Sequence, residues 1–189
     1  ELLHRMQNAI REDVWQFLEV AMSTCSTSLT YDFPGESVFP EVLERVERMH
    51  PTMYSPGNPI AFQNTYTSLQ EFIFTLEGLC VNKDQIVRFT NSASRKANKA
   101  KWNFAAYYSL CFQEIASSYE QKIVTPKDFF GTPEDAAAAV CDKCTQDALE
   151  SMQTCLSDNV FVLPIADKLI RLQLQILARF ADWVQSLEE

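Results

Sequence analysis

The chain has 189 residues, of which 47% are hydrophobic and 22% charged, and a formal net charge of −9. That acidic balance argues against a nucleic-acid partner, whose phosphates need a basic face. No apolar run approaches the ~18 residues needed to span a bilayer, and only four glycines are present, which argues against a succession of tight hairpins and for long helices.

Leu2 to about Cys25 reads as a first helix, with apolar side chains at Leu3, Met6, Ile10, Val14, Phe17, Leu18 and Met22, three or four residues apart. The chain opens without Met, inside this pattern, and nothing there reads as a signal peptide. It is therefore read as a fragment of a longer polypeptide. Residues 23–40 carry Ser, Thr, Pro34 and Gly35 and read as a loop. Pro40 fits the first turn of a short helix over Glu41–Met49. A second loop, 50–58, holds Pro51, Pro56 and Gly57. Asn58 is a natural N-cap and Pro59 a natural first helical residue, so a helix is expected from there to about Cys80.

Asp84–Phe89 suggests a further short helix, and Thr90–Lys101 a helix with a weak apolar face. The segment Lys101–Glu120 is the most aromatic. On a helical projection Phe104, Tyr108, Cys111, Phe112, Ile115 and Tyr119 share one stripe, while Trp102, Tyr107 and Leu110 give the other side some apolar surface. Such a helix is expected to be buried on more than one side. Residues 124–133 read as a loop, Glu134–Leu156 as an Ala-rich helix, and Pro164 to about Glu188 as the last helix. Two apolar stripes run along that last helix. One is Leu169, Leu172, Ile176, Phe180, Trp183 and Leu187; the other is Ile170, Leu174, Leu177, Ala181 and Val184. Their combined width, about 200°, predicts burial between two neighbours. The fold class read from these patterns is all-α, an elongated antiparallel bundle of six or seven helices forming one domain over 1–189.

No catalytic constellation emerges. Cys141 and Cys144 form a CxxC without the second ligand pair that a structural zinc site needs. They read first as two thiols one helical turn apart. A zinc site using them with Cys155 is the alternative from a different class. His4 and His50 are far from any nucleophile in sequence. Glu41 with Glu44, and Glu188 with Glu189, read as solvated helix faces. There is no phosphate-binding glycine loop. No catalytic residue, metal or cofactor is expected, and the six cysteines are read as reduced. Arg95–Lys101 reads first as a solvated helix end and second as a contact for a lipid headgroup or an acidic partner.

Three segments carry a family resemblance. Tyr54–Phe62 (Tyr-Ser-Pro-Gly-Asn-Pro-Ile-Ala-Phe) is followed by Tyr66, Phe72, Leu76 and Glu77. Lys101–Phe104 leads to Phe112–Ala116. Arg171–Phe180 has the form Arg-Leu-x-Leu-Gln-Ile-Leu-x-Arg-aromatic, with Trp183 beyond. Together, in this order, they resemble the family of subunit 2 of the conserved oligomeric Golgi complex. The resemblance covers about Tyr54 to Trp183 and implies a helical rod of the kind found in multisubunit tethering complexes such as exocyst, the nearest alternative. It implies a non-enzymatic vesicle-tethering subunit in intra-Golgi retrograde transport, peripheral on the cytosolic face of Golgi membranes. The implied partners are the other subunits of that complex, with SNAREs and Rab GTPases beyond them. Candidate partner contacts are Pro56, Asn58, Lys96, Lys99 and Lys101. For the Pro-Gly-Asn-Pro segment the competing reading is a simple helix start.

Overall fold

A computed structural model describes Val20 and residues 32–80, 82–123 and 134–187, with side chains from residue 139 in the last stretch. Among the described residues there are seven α-helices and no strand. They are α1 (Phe39–Met49), α2 (Pro59–Gly78), α3 (Lys83–Asn91), α4 (Ala93–Lys101), α5 (Phe104–Lys122), α6 (Glu134–Cys155) and α7 (Ala166–Gln185). A π-helical turn, Pro34–Val38, leads into α1, and a 3-10 turn, Leu163–Ile165, leads into α7. The first helix expected over residues 2–25 and the loop expected over 124–133 lie outside the described residues, apart from helical Val20. The chain divides into two units. One holds residues 1–55 and 64–103, the other 56–63 and 104–189.

The first unit is organised by rings. Phe39 of α1 and Phe89 of α3 are fully buried and meet edge to face, with centroids 5.9 Å apart. The guanidinium of Arg95 on α4 sits over both rings, 5.5 and 5.4 Å from their centroids. Burial lowers its pKa, with Glu77 and Tyr66 opposing. Ring faces supply the electrostatic compensation that a buried cation requires. Arg95 is thus a core residue, although its basic run reads as a solvated helix end. Trp102, just past α4, is buried with its indole edge to face against Tyr54 and Tyr66, at 4.9 and 5.1 Å. From α2 this unit takes Leu69, Phe72, Ile73 and Leu76.

Helical backbone begins earlier than the expected loop over 23–40 allows. The Asp32 carbonyl accepts from Glu36 N, and its carboxylate accepts from Gly35 N at 3.1 Å. Pro34 stands in the first turn, where no N–H is needed. Pro40 brings no N–H either. Ahead of it the Phe39 N–H reaches back to the Pro34 carbonyl, the wider π-type bond. Gly35 is required by proximity, since a Cβ there would fall 2.1 Å from Asp32 Oδ2 and 2.8 Å from Ser92 Cβ. Downstream, Asn82 does not only follow the end of α2. Its side chain accepts from Gln85 N at 3.0 Å and caps α3.

The second unit joins the start of α2 to α5, α6 and α7. Phe62 stacks on Tyr107 at 4.7 Å and meets Phe104 edge to face at 6.0 Å. The Tyr107 hydroxyl donates to the Val160 carbonyl at 2.8 Å. Deeper in, Ile115, Tyr119, Ala148, Cys155, Leu172 and Ile176 form one cluster from three helices. The α5 stripe is therefore rotated from expectation. The buried line is Tyr107, Cys111, Ile115 and Tyr119, while Phe112 is exposed and Tyr108 lies half-buried under Lys168. Two apolar lines compete on this helix, and Tyr107 wins because it has both a ring partner and a carbonyl for its hydroxyl.

Helix α7 differs more. Leu169, Leu172, Ile176 and Trp183 are buried, but Ile170, Leu174, Leu177 and Val184 are exposed. α7 does pack against two neighbours, α5 and α6, but among the described residues they cover only one of its two apolar stripes, so the expected burial of the whole face of about 200° does not hold.

Ring burial outweighs the hydroxyl in this unit. Phe62→Ala is expected to cost about 3–5 kcal/mol and Tyr107→Phe about 1 kcal/mol, read from urea unfolding. Equal losses would contradict this ranking. Alkaline pH is the second test. Burial pushes the Cys155 thiol from 9.0 up to about 11 and the Tyr119 hydroxyl from 10.0 up to about 12. Folding thus holds the protonated forms. Their contribution is complete below pH 9, then lost from pH 9 to 11 for Cys155 and from pH 10 to 12 for Tyr119. The melting temperature of Cys155→Ala should fall less steeply between pH 9 and 11 than that of the native chain. Parallel profiles would refute the assignment.

Candidate interaction surfaces

Two of the sequence-predicted contacts, Pro56 and Asn58, belong to the second unit. Asn58 is exposed, and its side chain accepts from Ala61 N at 3.0 Å. It caps α2, and Pro59 follows as the first helical residue. Pro56 is half-buried two residues earlier. The capping role accounts for the Asn-Pro pair through helix chemistry alone. Beside it lies a cavity of about 430 Å³ that sequence reasoning did not anticipate. Pro59 and Ile60 form one wall, Ile115 and Val160 line its apolar part, and Ser118 and Thr154 lie among its polar lining. Ile60 is a large apolar side chain left exposed on the first turn of α2. Its signal in sequence is an apolar residue off the buried line of that helix.

Lys96, Lys99 and Lys101 lie on α4 in the first unit. All three are exposed, with Lys96 and Lys99 one turn apart. Lys101 is engaged internally. Its ammonium donates to both carboxylate oxygens of Glu47, at 2.6 and 2.8 Å, and lies 5.5 Å from the Tyr54 ring centroid. The Tyr54 hydroxyl donates to Glu47 at 2.5 Å and accepts from Asn98 at 2.9 Å. Burial raises the Tyr54 pKa, and its bond to the Glu47 carboxylate adds to the shift. This network ties α4 to the end of α1 and the loop after it. Lys96 and Lys99 are left as the outward-facing basic pair of the three.

The remaining titratable groups are arranged structurally. Glu41 and Glu44 pair with Arg45 and Arg48, each four residues on along the exposed face of α1. Cys141 and Cys144 are one turn apart on α6, half-buried and buried. Cys155 is buried with its Sγ 3.4 Å from the Ser151 carbonyl. Burial raises the Cys80 thiol to about 11, which removes thiolate character at neutral pH. Among the described residues no three His, Cys, Asp or Glu side chains converge on a point where they could hold a metal ion, and no helix is long and apolar enough to cross a membrane.

A further apolar surface is the open side of α7. Ile170, Leu174, Leu177, Ala181 and Val184 are exposed along it, and Leu163, on the 3-10 turn before it, is 76% exposed. The sequence signal was present as the second apolar stripe. Its exposure was not, because periodicity does not report whether a neighbour exists.

A family model described as COG complex component, COG2, C-terminal, matches residues 100–189. Conserved oligomeric Golgi complex subunit 2 of Arabidopsis thaliana is 29% identical over 184 residues, which are 96% of this chain and 24% of that protein. The Homo sapiens protein of the same name is 33% identical over 159 residues, 83% of this chain and 21% of that protein. The Drosophila melanogaster protein is 25% identical over 161 residues, 82% of this chain and 22% of its own length. The chain thus spans about a quarter of the curated relatives it matches. No solved structure matches it. The match of the family model to α5–α7, with similarity to subunit 2 of three organisms across most of the chain, shows that the chain belongs to the family of conserved oligomeric Golgi complex subunit 2.

Proposed function

We propose that this chain is a helical part of a non-enzymatic subunit of a Golgi vesicle-tethering complex and acts by presenting binding surfaces to other subunits. The observation that carries the reading is the similarity to subunit 2 over 83–96% of the chain in the human and Arabidopsis proteins. The all-helical fold suits such a role, since helices present long, stiff side-chain arrays to partners. The site of action in this reading is the cytosolic face of Golgi membranes, reached through the other subunits, in intra-Golgi retrograde transport. SNAREs and Rab GTPases are the further partners it brings into range. Pro56, Asn58, Lys96 and Lys99 are the surface positions the reading assigns to partner contact, with Lys101 supporting α4 through Glu47.

Affinity purification of the full-length protein, with identification of what co-purifies, tests this. The expected result is stoichiometric recovery of the other subunits of the conserved oligomeric Golgi complex. Recovery of exocyst subunits instead, or of no tethering subunit, would contradict it.

A further inference from the structure

The exposed apolar side chains of α7 fall at residues 170, 174, 177, 181 and 184, in steps of four, three, four and three. This is the 3.5-residue repeat of a helix–helix seam. It occupies a strip about 80° wide, on the flank of α7 next to α6. The side-chain amide of Gln173 donates to the Met152 carbonyl at 2.8 Å and so fixes where α6 and α7 cross. Ile170 and Leu177 stand three residues before and four after Gln173. Leu149 and Leu156 stand three before and four after Met152, and both are exposed as well. Four aliphatic side chains therefore frame the crossing, three from the two helices and Leu156 from the turn that ends α6, and Leu174, 61% exposed, lies on the outer side of that frame.

We infer that this α6–α7 face seats one amphipathic α-helix belonging to another subunit of the complex. The inference rests on the functional reading above and adds to it the surface and the chemistry of the partner. The heptad step selects a helix, because a partner strand or loop would not match a seam at this spacing. The strip is too narrow for a helix lying in a membrane surface, which buries a broader face and carries basic residues along its edge. Here the flank away from α6 carries Asp167, Arg171 and Asp182, two acids and a single base. A second copy of the chain is disfavoured by the net charge of −9 on each. Arg171 and Asp182 are eleven residues apart, about 16 Å along the axis. The seated helix should carry apolar residues every three and four positions, an acidic side chain opposite Arg171 and a basic one opposite Asp182.

The test uses the full-length protein co-expressed with the remaining subunits. A photoreactive benzoylphenylalanine replaces Leu174, or Arg45 on α1 for comparison. The Leu174 probe should cross-link to one other subunit, on a helical peptide with the predicted repeat, and the Arg45 probe should not label that peptide. The double variant Leu174→Asp, Leu177→Asp removes only exposed side chains, so its melting temperature should stay at the native value or rise. Recovery of the cross-linked subunit should fall about tenfold or more. Cross-links from Leu174 to a second copy, to its own chain, to lipid or to nothing would overturn the inference. So would undiminished recovery by the double variant, which leaves the functional reading standing. Failure of the native protein to recover any subunit would overturn both.

Discussion

The break in the helix after Lys101 is the constraint on which the rest depends. Trp102 is extended (φ −81°, ψ 113°), so α4 and α5 are separate helices and not one. Trp102 is buried against Tyr54 and Tyr66 in the first unit. Five residues later, Tyr107 is buried against Phe62 in the second. Each ring serves its own core, and each core has a second anchor of a different kind. In the first it is Arg95 over the Phe39 and Phe89 rings. In the second it is the Tyr107 hydroxyl on the Val160 carbonyl. Aromatic burial dominates both units because it removes large apolar areas from water while the ring edges and polar tips still find partners.

Much of the helical outline was legible in the sequence. Asn58 and Pro59 announced the start of α2, and the scarcity of glycine agrees with the lack of strands among the described residues. These signals are local: a cap needs only its own first turn. The weak helix expected over Thr90–Lys101 was legible from its Ala, Lys and Arg content, although it begins at Ala93, with Thr90 and Asn91 in α3. The π-turn before α1 was not, because Pro34 and Gly35 look like loop residues until Asp32 is known to cap them. Arg95 was misread because a basic run gives no sign of which member packs over two phenyl rings. On α5 the pattern held two apolar lines, and the choice of Tyr107 over Phe112 depends on Phe62, more than forty residues away in the chain.

The candidate surfaces follow the same division. Asn58 and Lys101, picked out as partner contacts, both have intramolecular tasks: one caps α2 and the other holds Glu47. Lys96 and Lys99 remain outward on α4. The broad apolar face of α7 was read correctly as broad and incorrectly as fully covered. A surplus of aliphatic side chains at heptad spacing beyond what the fold buries is the observation behind the proposed helix docking. It connects the packing of this chain to membership of a family whose members are named as subunits of an oligomeric complex.

The central claim, that α7 buries one apolar stripe and leaves the other open, is tested most directly by hydroxyl-radical footprinting of the purified chain. Oxidation at Leu174 and Leu177 should be fast, and at Leu172 and Ile176 slow. Equal protection of all four, or faster oxidation at Leu172 than at Leu174, would contradict the account.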